Sequence, residues 1–238
     1  MSPNDDVAVV LMIAAHPDDS EFGVGGTVAG WTDAGVRVVH CVVTDGDSGS
    51  FDDSLSKSDV AAIRRKEEEA AAAVLGITEL IFLGYPDGRL TASLDLRRDL
   101  ARVIRRTRPD RVVSSSPERN WQSVYASHPD HLACGEAAMA AVYPDARNPY
   151  AHPELLAEGA EPHVVAEMWL HAGPRPNHFQ DITDQFERKL EALRCHRSQL
   201  GEPDALEERI RAWGEWVAAT AGLPKGRLAE AFQVFPTA

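Results

Sequence analysis

The sequence predicts a Rossmann-like three-layer α/β/α fold with a mostly parallel sheet. Continuous apolar runs of strand length alternate with alanine-rich or amphipathic segments of helix length, and the connections between them are short. Runs that are apolar on both faces are typical of strands covered by helices on both sides. The length suits one α/β domain, so residues 1–238 are predicted to form a single domain with a loop insert at about 144–162.

The first half of the chain alternates regularly between strand and helix. Two signals set the helix ends: Ser58 or Asp59 can cap the start of the second helix, and Gly35 and Gly76 can close the first two. The predicted strands are residues 7–15, 36–44, 79–84 and 110–116, and the predicted helices are residues 25–35, 58–76 and 93–109.

The second half is less regular. A helix is predicted over residues 128–142, the insert is rich in proline, alanine and glutamate, and a late strand covers 163–171. Two helices follow, at 181–200 and at about 203–220. Functional loops are expected at the carboxyl ends of the parallel strands.

Composition excludes several classes of partner. The net charge of -13 opposes binding to nucleic acid and to anionic membranes. The first residues lack the basic and apolar segments of a leader, and no stretch approaches the roughly 18 apolar residues of a membrane span. Three scattered cysteines without C-x-x-C spacing fit a reducing compartment. We therefore expect a cytoplasmic protein that acts on a small molecule, and self-association into a homo-oligomer stays open.

Two His-Pro-Asp motifs stand where predicted strands give way to helices, at residues 16–19 (HPDD) and 128–131 (HPDH). Because parallel strands end at one edge of the sheet, two imidazoles and a carboxylate can converge there. With one open position, these donors form a catalytic zinc site. Each motif alone also fits a proline turn or a helix start, but the presence of both favours the metal.

The glycine-rich segment at 23–27 raises a nucleotide site as an alternative. Val28 stands where the third glycine of a dinucleotide loop belongs, and the acidic residues within 18–21 would repel a pyrophosphate. We expect instead that Gly25 and Gly26 let the first helix approach the loop at residues 16–19, called the metal loop below.

The chain resembles the PIG-L or LmbE-like family of zinc-dependent N-acetylglucosamine de-N-acetylases over almost its whole length. The resemblance implies a hydrolase that removes an N-acetyl group from an amino sugar or glycoconjugate. The HPDD and HPDH segments are its most specific parts. The motifs that carry it are AHPDDSEFGVGGT, TDGDSG, RRKEEEAAAAVLG, LGYPDG, SHPDH and DITDQFERKLEALRCHRSQ.

The resemblance implies a metal centre and a general base. His16, Asp19 and His131 match the zinc ligands, and Asp18 matches the base that takes a proton from the attacking water. Histidine and carboxylate ligands also accept iron or manganese.

Four further residues match the family pattern. His128, oriented by Asp130, matches the general acid or the stabiliser of the tetrahedral intermediate. Arg64 and Asp87 match positions in the sugar pocket, although Arg64 also fits a solvated helix face and Asp87 a turn.

The sequence departs from the family pattern in two places. Ala126 stands where some members carry a tyrosine that bonds the developing oxyanion, with Tyr125 beside it. Ser20 replaces a glutamate that is frequent in the family, and Glu21 follows it.

Other polar or aromatic residues have open interpretations. His171 is expected to be a structural histidine at the end of the late strand, and His196 fits packing, a subunit contact or substrate binding within a helix. Trp121 fits either a sugar-stacking residue or a core residue. Residues 45–48 fit either a pocket wall or a capped loop.

Three rival functions remain beside the N-acetylglucosamine deacetylase. They are an amidase that cleaves a thiol-sugar conjugate, a deacylase that tailors a glycosylated natural product, and a metal-binding module without activity. Asp18 and His128 argue against the last, because metal retention alone needs only the three ligands.

Overall fold

One mixed sheet runs through the centre of the protein. The computed structural model describes residues 7–200 and 203–238. The strands are β1 (Val9–Ala14), β2 (Arg37–Thr44), β3 (Glu79–Tyr85), β4 (Arg111–Ser115), β5 (Glu167–His171), β6 (His178–Asp181) and β7 (Ala229–Pro236). Their order across the sheet is β3-β2-β1-β4-β5-β7-β6. The first five are mutually parallel, and β7 runs antiparallel to β5 and β6.

Helices cover both faces of the sheet, which confirms the predicted three-layer fold. They are α1 (Asp19–Asp33), α2 (Lys57–Leu75), α3 (Leu94–Thr107), α4 (Pro129–Ala140), α5 (Glu154–Ala157), α6 (Phe186–Leu193) and α7 (Pro203–Thr220). Alternate side chains of β1 point to opposite layers. Leu11 and Ile13 pack with α3 and α4, whereas Val10 and Met12 pack with α1 and α2.

Local capping explains where α2 begins and ends. Ser56 and Asp59 form a reciprocal capping box, so the helix starts before the predicted Ser58 or Asp59 cap. Gly76 closes it with φ 79°, as the sequence predicts.

The first helix differs from its prediction in a way that matters for the site. It starts at Asp19 instead of residue 25, which places Asp19 in its first turn. The expected role of Gly25 and Gly26 is wrong. A Cβ on Gly26 would lie 2.7 Å from Ile182, and one on Gly25 would lie 3.3 Å from the Lys189 side chain. These glycines therefore let Ile182 and α6 approach α1, and they do not serve the metal loop.

The predicted helix over 181–200 is also wrong at both ends. Its first residue belongs to β6, and α6 ends at Leu193. His196 lies in the following turn, where its backbone N–H donates to the Leu193 carbonyl. The sequence pattern predicts neither β6 nor β7.

None of the helices in the described residues combines the length and the apolar character that a membrane span requires. Residues 1–6, to which the expected lack of a leader applies, lie outside the described residues. All three cysteines are free.

Candidate active site

Three histidine rings meet at the carboxyl edge of the parallel strands. His16 follows the end of β1, and His128 and His131 stand at the start of α4, beyond the end of β4. The ring centroid of His16 lies 5.0 Å from that of His128 and 5.2 Å from that of His131. The His128 and His131 centroids are 5.4 Å apart. The two HPD motifs thus converge as their positions at strand ends predict.

Asp19 bridges two of these rings. Its Oδ1 lies 2.9 Å from His131 Nε2 and its Oδ2 lies 3.4 Å from His16 Nδ1. The backbone N–H of His16 also donates to Oδ2 at 2.8 Å. Burial works against the charged form of Asp19, yet the charges of His131 and His16 hold its pKa well below the usual range.

His16 stands among three carboxylates. Beside Asp19, its Nε2 lies 3.0 Å from Asp87 Oδ1 and 3.3 Å from Asp130 Oδ2. Burial opposes the protonated ring, but Asp19, Asp130 and Asp87 together raise the pKa of His16 to about 12. Such an excess of negative charge around one imidazole is a physical signature of a cation site.

The donors fit a divalent cation of the kind that imidazole nitrogen and carboxylate oxygen bind. The expected set of His16, Asp19 and His131 is gathered by the contacts above. Two other sets share His16 and keep their ligand atoms within 4.8 Å of one another: one adds His128 and His131, and the other adds Asp87 and Asp130. The ligand set stays a prediction.

Asp18 has an unusual backbone. Its φ of 95° and ψ of −24° lie in the left-handed region, which residues other than glycine, asparagine and aspartate seldom adopt. Two side chains of α2 hold it there: Arg64 Nη2 donates to the Pro17 carbonyl at 2.6 Å, and the Asp18 N–H donates to Glu68 Oε2 at 3.3 Å. Arg64 Nη2 also donates to Asp18 Oδ2 at 3.2 Å.

The environment of Asp18 suits a proton acceptor. Burial and the neighbouring Asp19 carboxylate raise the pKa of Asp18 to about 7, against the opposing charge of Arg64. A general base works best when its pKa lies near the working pH.

His128 caps α4, and its ring orientation differs from the expectation. Its Nδ1 accepts a hydrogen bond from the backbone N–H of Asp130 at 3.2 Å. A neutral ring held in this way carries its proton on Nε2. Burial and the charges of His16 and His131 lower the pKa of His128, which favours the neutral ring.

The Asp130 carboxylate is engaged elsewhere. It accepts the backbone N–H groups of Gly88 at 2.7 Å and Leu90 at 3.2 Å, besides its contact with His16. The expectation that the Asp130 carboxylate orients His128 is therefore wrong. The backbone amide of Asp130 holds the His128 ring, and the Asp130 carboxylate contacts His16 and the loop after β3.

Arg64 is only 4% exposed, so it does not lie on a solvated helix face. Its Nη1 also donates to the Gly46 carbonyl at 3.3 Å. Asp87 lies against His16 and accepts the Ser48 N–H at 3.3 Å, so it is more than a turn former. Contacts of both residues with a sugar stay a prediction.

The remaining open residues fall into three environments. Trp121 is largely exposed, which removes the core interpretation. Tyr125 is also exposed. His171 is buried at the end of β5, where a Cβ on Gly23 would lie 2.6 Å from its Nδ1.

A fully buried polar cluster behind the metal loop was missed. His40 Nδ1 lies 2.9 Å from Glu68 Oε1, and its Nε2 lies 2.9 Å from the Ser20 hydroxyl. Glu21 and His196 complete the cluster, with His196 Nε2 at 3.6 Å from Glu21 Oε2. The signal that could have found it is a histidine inside the apolar run of β2, which needs a buried polar partner.

A cavity of about 660 Å³ opens beside Asp19 and His131. Its walls come from the loop before α4, the loop after β5, the segment from Ile182 to α6, and α7. Trp213 and Trp216 of α7 stand along it.

Comparison with known proteins gives consistent matches. A profile of the PIG-L family, described as GlcNAc-PI de-N-acetylase, matches residues 11–142. The chain is 36% identical over 200 residues to the diacetylchitobiose deacetylase of Thermococcus kodakarensis. The aligned region covers 84% of this chain and 73% of the relative. It is 31% identical over 198 residues to a probable N-acetyl-alpha-D-glucosaminyl L-malate deacetylase 2 of Bacillus anthracis, with 80% and 81% covered.

Solved structures agree. The N,N'-diacetylchitobiose deacetylase of Pyrococcus horikoshii matches with a TM-score of 0.89 and 36% identity, covering 98% of this chain and 85% of that one. A teicoplanin deacetylase matches with a TM-score of 0.63 at 18% identity, covering 96% and 98%, and this likeness bears on the fold alone.

Proposed function

The chain belongs to the PIG-L family of GlcNAc-PI de-N-acetylases, as its motifs predict, and from this premise we propose that it removes the N-acetyl group from an N-acetylglucosamine-type amino sugar by metal-dependent hydrolysis. The chain is thus a deacetylase. The observation that carries the proposal is the convergence of both HPD motifs on Asp19, whose carboxylate contacts His16 and His131. Zinc is the proposed ion, because nitrogen and oxygen donors of this kind bind it, and iron and manganese are the alternatives.

The proposed ligands are His16, Asp19 and His131. Bound there, a divalent cation would lower the pKa of water and polarise the amide carbonyl. The Asp18 carboxylate accepts a proton from the attacking water, and Arg64 keeps that carboxylate in place. Asp18 then returns this proton to the departing amine, so that acetate and a free amino sugar leave the site.

His128 stabilises the charge that develops on the carbonyl oxygen. Since its Nδ1 accepts the Asp130 backbone N–H, its Nε2 carries the hydrogen that it donates. The small-molecule partner is accordingly an N-acylated amino sugar, and the proposed compartment is the cytoplasm, a choice supported by three free cysteines.

Acetate release tests the proposal. The purified enzyme, stripped with a chelator and reloaded with zinc, iron or manganese, is assayed on N-acetylglucosamine, N,N'-diacetylchitobiose and N-acetylglucosaminyl malate. We expect release that depends on the metal and is lost in Asp18→Asn. Metal binding without acetate release from any of these compounds would contradict the proposal.

A further inference from the structure

The cavity beside the metal loop has an apolar outer wall. Ile210, Trp213, Trp216 and Val217 of α7 contribute to it, and Phe22 and Phe186 also line the cavity. Trp213 is 44% exposed and Trp216 is 66% exposed. Two half-exposed indoles on one helix, beside a concave surface, are typical of a binding face.

Two charged residues of the cavity lining away from Asp19 and His131, namely Lys189 of α6 and Glu230 of β7, neutralise each other. Lys189 Nζ lies 2.6 Å from Glu230 Oε1 and donates to the Phe22 carbonyl at 2.8 Å. Glu230 also accepts the backbone N–H groups of Gly26 and Thr27. This buried pair fixes α1 against β7 and leaves little charge to bind a polar ligand.

The polar candidates for sugar contacts lie elsewhere. The cavity lining, as the described residues form it, does not include Arg64, Asp87 or the proposed base Asp18. The cavity instead reaches the site along the edge formed by Asp19 and His131. A substrate with its reacting amide at this edge therefore has a polar side toward Asp87 and an apolar side toward α7.

The size of the cavity exceeds what an acetyl group needs. Its volume of about 660 Å³ lies in the range that encloses a whole drug-sized ligand. The acetyl group offers a single methyl as apolar surface. Continuity with Asp19 and His131 makes the substrate itself the occupant.

We infer that the substrate is an amino sugar that carries an apolar substituent much larger than a methyl group, and that the α7 wall of the cavity binds this substituent. The inference rests on the proposed function. The substituent has two sources, the N-acyl group or the aglycone, and the shared chemistry is an alkyl or aryl group.

Two substrate series test the inference and distinguish the sources. The first lengthens the acyl group of N-acylglucosamine from acetyl to octanoyl. The second keeps the acetyl group and lengthens the alkyl aglycone of an N-acetylglucosaminide from methyl to octyl. We expect kcat/KM to rise by up to about fourfold per buried methylene along one series.

Variants of α7 locate the effect. Trp213→Ala and Trp216→Ala should flatten the rise along the responding series. Tyr150→Ala is the matched control, because Tyr150 is 90% exposed and does not line the cavity. It should leave the rise unchanged. Thermal unfolding checks that each variant is folded.

Several results would overturn the inference. One is a kcat/KM that stays constant along both substrate series in the enzyme without amino-acid substitutions. Another is an equal loss on all substrates in Trp216→Ala together with a smaller oligomer by light scattering, which would assign this face to a subunit contact.

Failure of the proposed function gives a different pattern, with no acyl release from any substrate by the metal-loaded enzyme. Calorimetric binding of octyl against methyl glucosaminide then decides the inference without turnover. The inference is supported if the octyl compound binds more tightly than the methyl compound and Trp216→Ala abolishes this difference. Equal binding of the two compounds to the enzyme without substitutions overturns the inference.

Discussion

Replacing Asp18 by asparagine separates two properties of this residue, its backbone conformation and its carboxylate. The backbone has φ 95°, which asparagine tolerates better than most residues. The amide oxygen can still accept from Arg64 Nη2, which lies 3.2 Å from Asp18 Oδ2. The loop and its metal should therefore be retained, while the proton acceptor is lost.

The expected loss in kcat is about 10²–10⁴, or roughly 3–5 kcal/mol in activation free energy, because general-base catalysis contributes that much. Stability should change in the opposite direction. Burial and Asp19 raise the pKa of Asp18 from 3.8 to about 7 in the folded protein. The stability from protonation is thus present below about pH 4 and is lost as the pH rises to 7. Asparagine lacks this loss, so its advantage in the metal-free protein should grow over that interval.

The assays are acetate release, metal content after dialysis, and thermal unfolding with a chelator at several pH values. Asp18→Ala is the matched control. It also removes the base, but alanine at φ 95° should cost an additional 1 kcal/mol or so. A metal-loaded Asp18→Asn enzyme that keeps kcat within tenfold would refute the role of base, and loss of metal would make Asp18 a ligand.

His131→Asn should lose the metal, whereas His128→Asn should keep it and lose turnover, as metal analysis beside kcat can check; loss of metal in both would favour the set of three histidines. Glu68→Gln should destabilise the protein by about 3 kcal/mol or more in urea unfolding, because it leaves His40 without its buried carboxylate partner; a change under about 1 kcal/mol would contradict the role of Glu68 in holding the Asp18 backbone. Gly135→Ala should lower the melting temperature strongly, since its Cβ would clash with the backbone carbonyl oxygen of Ser115. Gly30→Ala, whose nearest neighbour would be 3.9 Å away, should be neutral or stabilising, and equal losses in both glycine variants would refute the steric argument.

The parallel half of the fold could be predicted because its signals are local. The apolar runs of β1 and β2 each identify a buried strand, and Gly76 ends α2 within its own turn. The antiparallel edge could not be predicted in this way. β6 has four residues and depends on pairing with β7, as in the register of His178 with Phe232, and these partners are far apart in sequence. The sequence analysis therefore assigns no strand to residues 178–180 and places Asp181 at the start of a helix.

The same distinction between local signals and long-range contacts applies to the candidate site. β1 and β4 are adjacent parallel strands, so the segments that follow them leave the sheet at one edge, where His16 and His131 meet. The partner of each carboxylate is decided by side-chain packing, which is why Asp130 contacts His16 across 114 residues instead of its neighbour His128.

The strained backbone of Asp18 depends on α2, which contributes no proposed metal ligand. A left-handed aspartate costs roughly 1–3 kcal/mol and persists only where its surroundings impose it. Arg64 and Glu68 impose it from one face of α2, and Glu68 is held in turn by His40 of β2. Burial opposes both charges of that pair, but each partner shifts the other, raising the pKa of His40 and lowering the pKa of Glu68. The proposed base therefore owes its position to a buried ion pair behind the loop, so substitutions at His40 should lower kcat through the backbone of Asp18 without contact with the substrate.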